Sequence, residues 1–375
     1  MKQYEEVFFS VLRTALWGHP LDIPEGFKDW GKVMKLAKTQ ALTGLVGDVM
    51  LTTPRILNSL PEQAVAVLQE IPLNNMAMHT TLNNTLILVV TTLREHEIEP
   101  VLLKGQGIAS YYPVPQLRQC GDIDLYVGEE NYEKAYDVLL PLVSEIDQRE
   151  AIWTEIKHFH CKIGSVLLEV HRFTDVNFSS RLNKIYQKYS AEGLNNNLVP
   201  VDFCGTQVLT PSDDFNLYYI FNHLWHHFMA SGIGLRHLCD LAVFLNTHEV
   251  NKQYLSRILT EMKAMKPWQS IGTILVQYLG LPQERMPFYA PLSERKAKVI
   301  LDRIFAEGNF GHYSIAVRHR TGFYMWEKAV SLANHIKRHL LLLTVFPSQS
   351  VMQIRYTLKS GFRQVFKDLK AKLCK

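Results

Sequence analysis

The sequence predicts an α+β fold in which a small β-sheet within residues 99–205 is flanked by helical regions on both sides. Apolar residues recur at three- and four-residue intervals in residues 4–98 and again after Phe173, which is typical of amphipathic helices. Between them, short apolar runs and period-2 alternation indicate strands. We therefore divide the chain into three parts: a helical N-terminal region (1–98), a core (99–205), and a helical C-terminal domain with a basic tail (206–375).

The composition is that of an ordinary globular protein. At 375 residues the chain exceeds the roughly 250–300 residues that one hydrophobic core supports, so we expect more than one core. Apolar residues make up 47% and charged residues 20%, which excludes disordered and collagen-like classes. A net charge of +4 is too small to indicate a nucleic-acid partner by itself.

Two features predict a cytoplasmic protein. The five cysteines are scattered and form no C-x-x-C pair, which favours reduced thiols. The N-terminus lacks the apolar region of a secretory signal. The longest apolar runs, Leu86–Val90 and Leu340–Phe346, are far shorter than the roughly 20 residues of a membrane-spanning helix, so no transmembrane segment is predicted.

The N-terminal region contains no pattern typical of a catalytic site. Its breaks at Gly18-His-Pro20, Pro24-Glu-Gly26 and Thr53-Pro54 predict about four helices. We assign these helices a packing or substrate-framing role.

The core begins with a strand, a glycine-containing turn and a helix. Val101–Leu103 is a short apolar run, Lys104-Gly105-Gln106-Gly107 follows, and residues 108–112 form a helix-like segment that ends at Pro113. Such a turn lets backbone N–H groups approach phosphates, aided by the positive end of the helix dipole. We therefore expect a phosphate site here.

The next strand carries two acids on one face. In residues 120–127 the period-2 alternation places Ile123, Leu125 and Val127 on one face and Asp122 and Asp124 on the other. Carboxylates projecting together are suitable ligands for Mg²⁺, with Mn²⁺ as the alternative, and two such ions can clamp a triphosphate and an attacking hydroxyl.

A hairpin supplies a third carboxylate. Strands at residues 156–163 and Val166–His171 are separated by the turn Gly164-Ser165, and Glu169 stands among apolar residues of the second strand. We expect Glu169 to complete the metal ligands and to help take the proton from the acceptor hydroxyl.

These residues resemble a known family. The run VLLKGQGIASYYPVPQLRQCGDIDLYV, followed by LLEVH, is similar to the uncharacterised nucleotidyltransferase family of the polymerase-beta-like superfamily, closely over residues 101–171 and more weakly over residues 223–245 and 346–348. The resemblance implies a mixed-sheet core in which Asp122, Asp124 and Glu169 bind metal, while Gly105 and Gln106 face the triphosphate.

The sequence departs from that family in two ways. Gln106 stands where superfamily members usually have Gly or Ser, and the gap from Gly105 to Asp122 is long. Lys104 and Arg118 could replace the lost phosphate contact, so we include both among the candidate nucleotide-binding residues.

Structural alternatives exist for each candidate. Asp122 and Asp124 could lie on a solvated strand edge, Lys104 and Arg118 could be surface charges, and Glu169 could pair with Arg172 or Lys162. Three histidines, His223, His226 and His227, could form a second metal site, although their alternation with apolar residues favours helix packing. Arg236 and Asp240, spaced i to i+4, are expected to form an ion pair.

The function expected from these residues is Mg²⁺-dependent transfer of an NMP from an NTP to a hydroxyl on a small molecule, sugar or protein. A nucleotide-binding or scaffolding module with little turnover is the alternative from another class. An RNA-modifying transferase has support only in the basic segment 355–375, so a nucleic-acid partner is the less favoured expectation.

Overall fold

The computed structural model describes residues 1–147, 157–177, 179–309 and 324–359. The basic tail from residue 360 onward and the first residue of the predicted strand at 156–163 lie outside these ranges. Five helices precede the sheet: α1 (Gln3–Trp17), α2 (Trp30–Thr39), α3 (Thr43–Thr52), the one-turn α4 (Pro54–Leu57) and α5 (Glu62–Glu95). The prediction of about four helices missed one short element.

Within the described residues, the sheet has seven strands: β1 (Val101–Leu102), β2 (Asp122–Tyr126), β3 (Glu145–Ile146), β4 (His158–Ile163), β5 (Val166–His171), β6 (Val199–Phe203) and β7 (Thr206–Thr210). Their order is β3-β4-β5-β2-β1-β7-β6. The β2–β5 and β1–β7 pairs are parallel, and the remaining pairs are antiparallel. The predicted α+β class, mixed sheet and helical flanks are confirmed.

Short helices connect the strands of the core. They are α6 (Gln106–Ala109), α7 (Gly128–Leu139) and α8 (Ser180–Asn195). The sheet continues to Thr210, five residues beyond the boundary at 205, because β6 and β7 form a hairpin. The interpretation of the chain after Phe173 as helical was therefore wrong for residues 199–210.

The C-terminal region is helical: α9 (Asp213–Ala230), α10 (Leu235–Thr247), α11 (Lys252–Glu261), α12 (Met265–Gln277), α13 (Glu294–Glu307) and α14 (Tyr324–Leu342), followed by helical residues 347–359. In the described parts of the chain, no helix has the length and apolarity needed to cross a membrane.

Two hydrophobic cores hold these elements together. One lies between the sheet and the helices α5 and α7, and it contains Leu86, Ile123, Leu125 and Leu168. The other joins the N-terminal helices α1–α3 to the C-terminal helices α9–α13. One face of the sheet is thus covered by α5 and α7, which leaves the opposite face available for polar residues.

Candidate active site

The carboxylates predicted to bind metal lie together on two neighbouring strands. The parallel register of β2 and β5 places Asp124 opposite Glu169 and Asp122 opposite Leu167. Ile123 is fully buried in the core on the helix-covered face, so Asp122 and Asp124 project from the other face. The predicted face assignment is confirmed, because the alternation of a strand fixes it.

The turn after β1 brings a lysine to these carboxylates. The backbone N–H of Leu103 donates to the carbonyl of Asp124 at 3.0 Å, which fixes the turn against β2. Gly105 has φ +58°, and a Cβ there would lie 3.3 Å from the Asp122 carbonyl oxygen. In this arrangement Lys104 Nζ lies 3.0 Å from Asp124 Oδ1 and 3.5 Å from His223 Nε2.

The two aspartates have opposite electrostatic environments. Burial raises the pKa of Asp124, but Lys104 and a hydrogen bond from His171 outweigh it, and the pKa is lowered. Burial and the neighbouring Asp124 raise the pKa of Asp122. Among the residues that the structure describes, none forms a hydrogen bond or ion pair with the Asp122 carboxylate. A partly buried carboxylate without a partner, such as that of Asp122, is suited to binding a cation.

Glu169 is surrounded by histidines. Its carboxylate oxygens lie 3.4 Å from His171 Nε2, 3.5 Å from His160 Nε2 and 3.8 Å from His158 Nε2. Burial raises the pKa of Glu169, but hydrogen bonds from His160 and His171 outweigh it and lower the pKa, so Glu169 is ionised.

The alternative partners expected for Glu169 are engaged elsewhere. Lys162 pairs with Glu145 at 2.7 Å, and Arg172 pairs with Glu129. Arg172 is offset by an odd number of residues from Glu169 and His171, so it projects away from the site. Lys162 shares the face of His160 but lies opposite Leu167 and Glu145, further along β4.

The histidines around Glu169 differ in their protonation. Hydrogen bonding to Glu169 raises the pKa of His160 to about 9, and Asp147 adds to this effect against the opposing effect of burial. Burial lowers the pKa of His158 to about 3. One proton is thus held between His160 and Glu169 in the absence of other cations.

Arg118 lines the same cavity but has a structural partner. Its Nε and Nη2 donate to the two carboxylate oxygens of Asp240 at 2.7 and 2.8 Å, and its Nη1 lies 2.8 Å from Cys120 Sγ. Asp240 therefore pairs with Arg118, and the expected ion pair with Arg236 was wrong. Arg236 Nη1 instead donates to the Gln119 carbonyl at 2.6 Å.

The turn that was expected to face phosphates is followed by a single helical turn. The helix predicted at residues 108–112 begins earlier, at Gln106, and ends at Ala109. A helix this short contributes little macrodipole. The Gln106 side chain is 2% exposed, and neither its amide nitrogen nor its amide oxygen has a hydrogen-bond partner within the described residues.

The histidines of α9 pack and form hydrogen bonds. His223 contacts Lys104, His226 Nδ1 lies 3.6 Å from an Asp175 carboxylate oxygen, and His227 Nδ1 lies 3.1 Å from Ser231 Oγ. These contacts agree with the packing interpretation that the sequence favoured.

A cavity of about 40 Å³ connects the candidate residues. Its lining comprises residues from the turn, from β2 and from helices α9 and α10: Lys104, Gly105, Arg118, Asp122, Asp124, His223, Arg236, His237 and Asp240 among others. The cavity thus joins five of the residues predicted from the sequence, whereas Gln106 and Glu169 do not line it.

Sequence reasoning missed His158, His160 and His171 as part of the site. The signal was present as H-x-H in β4 and E-x-H in β5, since residues two apart on a strand face the same way.

Comparison with known proteins assigns the chain to a family. The model of a family described as uncharacterised nucleotidyltransferase matches residues 27–280. No curated protein matches the chain.

A search of solved structures finds two that are similar to part of this chain. One is ANT(2")-Ia in complex with adenylyl-2"-tobramycin, at 12% identity and a TM-score of 0.35 over 49% of this chain and 96% of that one. The other is an antigenic nucleotidyltransferase-like protein from Paracoccidioides brasiliensis, at 13% identity and a TM-score of 0.33 over 53% of this chain and 92% of that one.

Proposed function

Because this chain belongs to the uncharacterised nucleotidyltransferase family, we propose that it is a Mg²⁺-dependent enzyme that transfers an NMP from an NTP to a hydroxyl of an acceptor and releases pyrophosphate. The observation that carries the proposal is the convergence of Asp122, Asp124 and Glu169 on two paired strands beside Lys104.

The donor set fits the metal. Asp122, Asp124 and Glu169 offer hard oxygen ligands, which Mg²⁺ prefers, and the carboxylate of Asp122 has no other partner within the described residues. When bound, the ions would neutralise the triphosphate and polarise the attacking hydroxyl. Mn²⁺ has the same ligand preference and is the alternative ion.

The protein residues then have separate roles. Lys104 would supply positive charge to the phosphate oxygens, because its Nζ lies at the carboxylates, 3.0 Å from Asp124 Oδ1. Glu169, which is ionised, would hold metal. Its lowered pKa makes the carboxylate a weak base, so its electrostatics do not support the expected help in taking the proton of the acceptor hydroxyl. Arg118 remains a nucleotide-binding candidate through the cavity that it lines, although Asp240 holds its guanidinium.

The cavity size limits what it can bind. Pockets that enclose a whole small ligand measure roughly 300 Å³ or more. A cavity of about 40 Å³ therefore has room for phosphate oxygens and ions beside Gly105, while the base and sugar would lie outside it. Gln106 remains a nucleotide-binding candidate only through its position next to Gly105, since it does not line the cavity. The proposal does not specify which hydroxyl compound is the acceptor. We expect the reaction to take place in the cytoplasm, because the scattered cysteines predict reduced thiols.

The test is incorporation of label from each α-labelled NTP into a host-cell extract in the presence of Mg²⁺. We expect labelled product and pyrophosphate with the native protein, and loss of both in the Asp122→Ala, Asp124→Ala double variant. Asp302→Ala, which changes an exposed acid on α13, is the matched control. Full activity in the double variant would overturn the proposal. NTP binding without pyrophosphate release in any extract would favour the binding module instead.

A further inference from the structure

Three histidines and one glutamate meet on the polar face of the sheet. His158 and His160 lie two residues apart on β4, and Glu169 and His171 lie two residues apart on β5. The antiparallel register places His158 opposite His171 and His160 opposite Glu169. Directly opposed residues have neighbouring side chains on the same face, so the pairing itself assembles the group.

The ligand-type atoms of this group converge. One atom each from His158, Glu169 and His171 lies within 4.8 Å of the other two. The closest approaches to the Glu169 carboxylate are 3.4 Å from His171 Nε2 and 3.8 Å from His158 Nε2. Around a tetrahedral ion with bonds of about 2.0–2.1 Å, neighbouring ligand atoms are separated by about 3.3 Å. The two separations from Glu169, 3.4 and 3.8 Å, are close to that value.

Two of the imidazoles are oriented by other residues. His160 Nδ1 lies 3.0 Å from Asp147 Oδ2, and His171 Nδ1 lies 3.4 Å from the Phe173 carbonyl oxygen. Both partners can only accept, so each Nδ1 donates to its partner and each ring is turned with Nε2 toward Glu169. Carboxylate and carbonyl partners of this kind orient histidines that ligate metals.

The Nε2 atoms lie close to one another and to carboxylate oxygens. Nε2 of His158 lies 3.2 Å from Nε2 of His160, and Nε2 of His171 lies 2.9 Å from Asp124 Oδ1 as well as near Glu169. Ring nitrogens and carboxylate oxygens packed this closely share either protons or a metal ion.

We propose that His158, His171 and Glu169 bind one divalent transition-metal ion of the zinc, iron and manganese class, with His160 beside them as a further imidazole ligand. Two imidazoles and one carboxylate form a donor set that such ions favour, whereas Mg²⁺ prefers sites of oxygen alone. The site would share Glu169 with the Asp122 and Asp124 site and would differ from it in its imidazole ligands.

Binding of this ion does not require catalytic turnover, so it can be tested apart from the proposed function. The full-length protein would be stripped with a chelator, dialysed against Zn²⁺ or Co²⁺, and analysed for bound metal by mass spectrometry and for the visible absorption of bound Co²⁺. We expect about one equivalent of Zn²⁺ that a large excess of Mg²⁺ does not displace, and a Co²⁺ spectrum typical of nitrogen and oxygen ligands.

His158→Gln is the informative variant, because His158 is a partly exposed ligand whose replacement keeps a polar side chain on β4. We expect it to weaken Zn²⁺ binding by at least about tenfold, the lower limit found for loss of even an outer partner of a metal ligand. His96→Gln, at the exposed end of α5, is the matched control and should bind Zn²⁺ like the native protein. Circular dichroism of each variant verifies the fold.

The outcomes separate this proposal from the nucleotidyl-transfer proposal. Native protein that gives no Co²⁺ spectrum and retains no Zn²⁺ would overturn the metal site and leave protons as the shared cation, whether or not transfer occurs with Mg²⁺. Zn²⁺ binding that survives in Asp122→Asn, together with lost NMP transfer, would support both. Zn²⁺ binding in a native protein without any NMP transfer would support the metal site alone.

Discussion

Asp175 is fully buried beside the sheet, and its charge depends on two neighbours. Burial raises its pKa, but Lys157 at 3.4 Å and His226 at 3.6 Å outweigh burial and lower the pKa from 3.8 to about 2. A lowered folded-state pKa contributes stability above the unfolded value, and this stability is lost as the pH falls through the folded value. The contribution is about 2 kcal/mol at neutral pH.

We therefore expect Asp175→Asn to lower the free energy of unfolding at pH 7 and to flatten its decline between about pH 4 and 2. Urea denaturation at a series of pH values measures both effects, and Asp302→Asn is the control. Parallel pH profiles for the native protein and Asp175→Asn would contradict the prediction.

Asp122 and Asp124 should respond oppositely to the same substitution. Asp124→Asn weakens the contacts of a buried carboxylate with Lys104 and His171, so we expect it to lower the melting temperature. Asp122→Asn removes a charge that burial and Asp124 disfavour, so we expect an unchanged or higher melting temperature. Thermal unfolding in excess chelator gives both values; equal losses in the two variants would show that Asp122 has a stabilising partner.

The residues of the site were predictable to different degrees. Asp122 and Asp124 lie two residues apart on the five-residue strand β2, and strand alternation alone fixes their common face. The grouping of Glu169 with Asp124 depends on the register of the parallel pair β2–β5, which local sequence does not encode. The role of Asp240 as partner of Arg118 was missed for the same reason, because 122 positions separate them.

At the scale of elements, a buried ion pair ties the loop before β2 to helix α10. Arg118 and Asp240 are 4% and 6% exposed in their side chains, and Tyr112 donates a further hydrogen bond to Asp240 at 2.7 Å. Loss of one partner leaves the other charge buried and unpaired, at a cost of about 3–5 kcal/mol. We expect that loss for Asp240→Asn.

The smaller change Tyr112→Phe should cost about 1 kcal/mol, because it removes one hydrogen bond. Chemical denaturation with each variant tests the ranking, and Asp302→Asn on the exposed surface of α13 should leave the midpoint close to the native value. If Asp240→Asn were no more destabilising than Asp302→Asn, the pair would not hold α10 against the loop.

The hairpin β6–β7 shows where the elements themselves escaped prediction. Its alternation is visible in Val201, Phe203 and Val208, and Cys204-Gly205 forms the turn with both residues at positive φ. The strands were overlooked because the surrounding sequence is helical and because cysteine is unusual at the first turn position, where Asn or Gly is preferred. By contrast, β5 was predicted with its observed bounds, since its apolar run is flanked by a glycine turn.

At the scale of the whole molecule, the N-terminal and C-terminal helices share one core. Phe9 of α1 is fully buried, with its ring centroid 5.5 Å from that of Tyr278 and 5.9 Å from that of Phe305. Trp17 Nε1 also donates to the Leu279 carbonyl at 2.6 Å. The N-terminal region is thus joined to the C-terminal helices across the length of the chain.

We therefore expect Phe9→Ala to destabilise both regions together, by about 3–5 kcal/mol for removal of a buried aromatic side chain. Hydrogen exchange followed by mass spectrometry should show reduced protection in α12 and α13 as well as in α1. Leu73→Ala is the control, because the Leu73 side chain on α5 is 67% exposed. It should leave the protection of α1, α12 and α13 unchanged. Reduced protection confined to residues 1–98 in Phe9→Ala would instead mean that the N-terminal helices unfold as an independent domain, as the division of the chain from its sequence would allow.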